Sequence, residues 1–100
     1  SISTYVIPDA DCASSCAVAF LGGTQRVLAG NGNLMFHSPY YKRTHGIECV
    51  KKSPDLLNYY RDMIGSSMGT ALYEKTLREC SNRDGWTINR DAAQMYDIVK

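Results

Sequence analysis

Cys12-Ala13-Ser14-Ser15-Cys16-Ala17-Val18-Ala19-Phe20-Leu21, closed by Gly22-Gly23, is the stretch whose conformation sets the fold. Its residues are small or apolar and leave no polar face at the helical period, the pattern of a buried helix. Asp11 is the predicted N-cap, and the glycine pair stops the helix at its far end. Strands flank it. Ser3-Thr4-Tyr5-Val6-Ile7 holds residues that fit a pleated, half-buried surface, until Pro8 and the Asp9-Ala10-Asp11 turn end it. Gln25 to Ala29 is the next predicted strand, followed by the turn Gly30-Asn31-Gly32-Asn33. Leu34-Met35-Phe36-His37 is the third, ended by Ser38-Pro39.

Further along, the chain turns helical. Tyr40 to Lys52, with Lys42, Arg43, Lys51 and Lys52 among polar residues, reads as an exposed loop whose charges form a solvated face. Ser53-Pro54-Asp55 then marks a helix start: a capping serine, proline at the first position and a carboxylate at the positive end of the dipole. Leu56, Leu57, Tyr60, Met63 and Ile64 make one apolar stripe. Gly65 and Gly69 bracket a break, and Thr70 to Glu79 resumes as a helix with Ala71, Leu72 and Leu77 inward. Trp86-Thr87-Ile88 reads as extended, Asn89 caps a short helix over Arg90 to Met95, and Ile98-Val99 starts a last strand. Strands around a buried helix, then helices, make an α/β fold.

One hundred residues allow a single domain, and 44% hydrophobic with 21% charged residues is an ordinary globular composition. Eleven basic against ten acidic residues leave no footprint for nucleic acid or an anionic membrane. No apolar run approaches the ~18–20 residues that span a bilayer. The chain opens at Ser1 without an initiator methionine, a charged segment or an apolar run, so that either a leader has been removed or it is a piece of a longer protein; a strand that starts almost at once favours the piece.

Four cysteines, Cys12, Cys16, Cys49 and Cys80, admit three accounts. They are buried small hydrophobes in a reducing compartment, or one or two disulfides in an exported protein, or part of a zinc site with His37 or His45. Cys49 with Cys80 is the first pair to test, because both lie near predicted element ends. No second close pair accompanies Cys12-x3-Cys16, so the zinc pattern is incomplete and no metal is assigned.

Chemistry concentrates at the start of the buried helix. Ser14 lies where unpaired backbone N–H groups favour an anion, so it is either a packing residue or a nucleophile. In the second case the N–H of Ser15 would help hold the tetrahedral oxyanion. Ser15 competes with Ser14 for the same role. A hydroxyl needs a base, and His37, at the end of an apolar strand, is the better candidate; His45 sits in the charged segment.

The residues 12–23, with Gln25-Arg26-Val27 and Met35-Phe36-His37-Ser38-Pro39, resemble the Clp protease proteolytic subunit superfamily of crotonase-like fold. More closely they resemble bacterial, predicted periplasmic Clp-protease-like proteins carrying a C-A-S-x-C nucleophile motif. The resemblance covers residues 4–40 well and residues 53–100 only in element order. It implies that Ser14, not Ser15, is the nucleophile and that His37, eleven residues after Arg26, is the base. It further implies a serine peptidase acting on peptide or protein substrates, without a cofactor, self-associating and exported to the periplasm; the cytoplasm is the alternative. The family's third member, an acid, falls near Cys80, and Asp84 is the nearest carboxylate. The strands and glycine-rich loop that precede this region in the superfamily are missing, so the chain is expected to be the C-terminal part of such a domain, inactive in isolation. A non-catalytic binding or assembly module, having lost its acid, is the alternative function.

Overall fold

In the computed structural model, residues 2–80 and 86–100 are described. The chain is α/β and runs β1 (Ser3–Val6), β2 (Asp11–Ala13), α1 (Ser15–Leu21), β3 (Gln25–Leu28), β4 (Asn33–Phe36), β5 (Tyr40–Arg43), β6 (Gly46–Cys49), α2 (Pro54–Ile64), α3 (Ser66–Arg78), β7 (Trp86–Ile88) and α4 (Arg90–Met95). β1 pairs with β3 in parallel. β4 is the middle strand of a second sheet, parallel to β2 and antiparallel to β7. β5 and β6 form an antiparallel hairpin.

Two predicted elements change on inspection. The helix expected from Cys12 starts at Ser15, because Asp11, Cys12 and Ala13 pair with Asn33, Leu34 and Met35 of β4. Their backbone is committed to the ladder, so Asp11 is not a cap; its carboxylate instead accepts from Asn33 Nδ2 at 3.2 Å. Tyr40–Cys49 is a hairpin and not a loop. Its residues 41–48 are exposed, and the pairing comes from backbone hydrogen bonds that charged side chains do not prevent. Two smaller differences concern the tail and α3. Ile98 and Val99 are buried but belong to no strand, since Ile98 and Val99 N–H both turn back to Ala93 O. Ala71 points outward, and Leu72 and Thr76 hold the inner face of α3.

The core joins Val6, Leu28, Leu34, Phe36 and Ile88 of the sheets to Ala17, Phe20 and Leu21 of α1 and to Tyr60, Ile64 and Leu72 of α2 and α3. Phe36 packs edge-on against Tyr60, ring centroids 6.1 Å apart. Arg26 ties the ends together: its guanidinium donates to the carbonyls of Leu21 and Gly23 at the end of α1, of Met63 in α2 and of Ile98 near the C-terminus. Cys49 is bonded to Cys80, 31 residues on, a cross-link of the size that restricts the unfolded chain by about 3–4 kcal/mol.

Ser53 caps α2, accepting from the Leu56 N–H, and Gly65, with φ 99°, makes the whole turn into α3. Gly69 is therefore inside α3 and not a break. A Cβ there would stand 2.5 Å from Arg61 Cα and 2.6 Å from the Tyr60 carbonyl carbon, so only glycine lets the two helices meet this closely. Gly69→Ala should lower the unfolding free energy by about 1–3 kcal/mol, the usual cost of overpacking, whereas Ser67→Ala on the exposed side of the same turn should change it by less than about 0.5 kcal/mol. Urea titration followed by circular dichroism reads both.

Candidate active site

Ser14 stands between β2 and α1. Its N–H extends the β2–β4 pairing by donating to Met35 O at 2.9 Å, and its carbonyl accepts from Val18 N–H at 3.1 Å as α1 begins. Between these anchors the backbone takes φ 58° and ψ −120°, a conformation that side-chain-bearing residues rarely adopt. Holding it costs on the order of 1–3 kcal/mol. A serine on a sharp, strained strand-to-helix turn is the arrangement that exposes a nucleophilic hydroxyl. Consistent with a hydroxyl not used for packing, Ser14 makes no side-chain cap bond although it occupies the N-cap position. Ser15 is the first residue of α1, so its N–H is among those with no partner inside the helix.

His37 directly follows β4. Its Nδ1 lies 2.9 Å from the carbonyl of Ser38, which selects the tautomer with the proton on Nδ1 and leaves the lone pair on Nε2. Ser38 itself is fully buried; its N–H donates to Glu79 O at 2.6 Å and its hydroxyl to Cys80 O at 3.4 Å. The His37 ring also packs beside Tyr40, centroids 5.9 Å apart. Its Nε2 is buried without a hydrogen-bond partner among the described residues, a deficit that costs about 1–3 kcal/mol until a donor reaches it.

Ser14, Ser15 and His37 line one pocket of about 370 Å³, with Val18, Ala19, Phe36, Pro39, Leu56 and Tyr60 as its remaining walls. The structure thus brings together both serines and the histidine singled out in the sequence. No hydrogen bond joins Ser14 to His37 Nε2. Among the described residues no carboxylate is bonded to His37; Asp84 lies outside the described residues. His45 is in the exposed turn of the hairpin and takes no part in the pocket. Cys12 and Cys16 are bonded to each other, Cα atoms 5.2 Å apart, which removes the two thiolates that a zinc site would need. A larger groove of about 800 Å³ runs along β3 and the C-terminal residues. Its arginines are already engaged: Arg26 as above, Arg90 by Leu28 O and Gly30 O.

Sequence reasoning missed Ser38, Leu56 and Tyr60. Ser38 carried no signal beyond its place before Pro39, because a buried polar role depends on partners 41 and 42 residues away, Glu79 and Cys80. Leu56 and Tyr60 were visible as an apolar stripe, which does not distinguish a core from a pocket wall. Burial pushes the Tyr60 hydroxyl up to about 12, so this wall stays uncharged through the neutral range.

Comparison with protein-family models, curated proteins and solved structures gave no match.

Two outcomes follow from this geometry. Ser14→Gly should be more stable than Ser14→Ala by about 1 kcal/mol, since glycine alone adopts the turn without strain; thermal melts of the two variants compare them. Because Tyr60 ionises later when folded than when unfolded, its neutral form adds stability that is complete below about pH 10 and lost as pH rises towards about 12. Tyr60→Phe should therefore flatten the alkaline loss of stability between those values, read by denaturation at stepped pH.

Proposed function

We propose that this chain carries the nucleophile and base of a serine hydrolase, a peptidase of the Clp-protease-like type. The observation that supports it most is the strained turn at Ser14 opening onto the same pocket as His37, whose Nε2 has no partner among the described residues. In the reaction, His37 Nε2 takes the proton of Ser14 Oγ as the oxygen attacks a substrate carbonyl. The N–H of Ser15 donates to the oxyanion, and the imidazolium returns its proton to the leaving amine. Water, activated by the same nitrogen, then frees the acyl group.

The Ser38 carbonyl does part of the work of a third residue: it fixes the ring and the tautomer through Nδ1–H. Being neutral, it stabilises the imidazolium less than a carboxylate does. The apolar walls favour substrates with an apolar side chain beside the scissile bond. Two disulfides favour an oxidising compartment such as the periplasm. Exposed Tyr5 and Val27 on the open β1–β3 pair, with exposed Ile7 just beyond β1, favour self-association. The buried Nε2 and the absence of a Ser14–His37 hydrogen bond favour the second reading, a non-catalytic binding or assembly module of the same fold.

Labelling of the full-length protein by a fluorophosphonate separates the two. The hydrolase predicts labelling of wild type and Ser15→Ala, none of Ser14→Ala, and a fall of about 100-fold or more in His37→Ala. Equal labelling of wild type and Ser14→Ala would leave only the module.

A further inference from the structure

We infer that the Cys12–Cys16 disulfide is a positioning clamp for the Ser14 turn, and that breaking it disables the nucleophile while leaving the apolar pocket in place. The inference rests on the hydrolase reading. Cys12 is the middle residue of β2 and buried; Cys16 is the second residue of α1 and exposed. The bond between them passes across the one turn that contains Ser14, from strand to helix, over a separation of only four residues.

Three features of that turn call for an external hold. Its backbone is strained at Ser14, and strained conformations persist only where the surroundings over-determine them. The helix that follows has seven residues, no acidic residue in its first turn and no side-chain cap bond from Ser14. A serine at that position ordinarily secures the helix start with its own hydroxyl; here the hydroxyl makes no cap bond, and the covalent link between β2 and the first turn of α1 fixes the start instead. Finally, a loop this short gains least from restricting the unfolded chain, so the effect of the bond falls on the local geometry it encloses. Cys12 and Cys16 are positioning residues: neither lines the pocket that holds Ser14 and His37.

The clamp is also a redox-sensitive point. A dithiol reductant gives two electrons and two protons to the bond, leaving two thiols and becoming a disulfide itself, and the exposed Cys16 makes the bond the more open of the two in this structure to such attack; Cys49 and Cys80 are only partly exposed.

The test compares wild type with Cys12→Ala/Cys16→Ala, which keeps the Cys49–Cys80 bond. Inactivation by a fluorophosphonate bearing an apolar group is resolved into its maximal rate and its half-saturating concentration. The clamp predicts a maximal rate lower by about tenfold or more, as misplacement of a reacting atom produces, with the half-saturating concentration within about twofold because the pocket walls are untouched. Treating the wild type with dithiothreitol should reproduce the fall, and reoxidation should restore it. A second readout does not need activity: the melting-temperature loss on removing both cysteines should shrink when Ser14→Gly is also present, since glycine removes the strain that the bond holds. An unchanged maximal rate together with additive melting temperatures would overturn the inference. If the wild type is not labelled at all but the melting temperatures are coupled, the hydrolase reading fails and the clamp on the turn stands. If the Cys12→Ala/Cys16→Ala variant does not fold, wild type and Ser14→Gly melted with and without dithiothreitol give the same coupling: a smaller loss in Ser14→Gly sustains the clamp, and equal losses refute it.

Discussion

Parallel pairing of β2 with β4 sets Ala13 beside Met35, and everything at the site follows from that register. Ser14 and His37 each leave the sheet at the ends of these two neighbouring strands. The last bond of the ladder, from Ser14 N–H to Met35 O, belongs to the backbone of Ser14 itself. A slip of one residue would send Cys12 and Leu34, both buried, to the opposite face and carry the serine away from the histidine. The hydrophobic pattern that builds the core is thus also what aims the site.

β4 gains its second neighbour from far along the chain. Leu34, Met35 and Phe36 pair with Ile88, Thr87 and Trp86, and Ser38 is held by Glu79 and Cys80 just after α3. The imidazole therefore takes its orientation from a backbone carbonyl whose own position is fixed by the end of the helical half. Arg26 performs the matching task on the opposite side, where four carbonyls from three segments converge on one guanidinium. Burial lowers its pKa from the ordinary value, a cost that the four acceptors offset.

Much of this was legible in the sequence because it depended on neighbours. Ser53-Pro54-Asp55 capped α2 as local chemistry requires, and Asn89 caps α4 through Ala92 N–H. Of the stripe, Leu56, Tyr60, Met63 and Ile64 pack on the core along α2, and Leu57 is half-buried beside them. What escaped was set by partners distant along the chain. Asp11 and Cys12 belong to a three-residue strand, too short to show alternation, that exists only because β4 pairs with it. The β5–β6 hairpin was hidden by its charges, and Gly69 looked like a helix stop when its role is to let Arg61 approach. Ser14 was legible as a serine at a helix start; its left-handed backbone was not, since no residue type announces it.

The Cys49–Cys80 bond encloses the whole of α2 and α3. Lys51 and Lys52, both exposed, lie inside that loop. A tryptic-type nick there would part Ser14 and His37 from the helices bearing Leu56 and Tyr60 along the polypeptide, yet the two portions would stay one covalent molecule. Only in a reducing medium would they come apart, so the same cut carries different consequences inside and outside an oxidising environment.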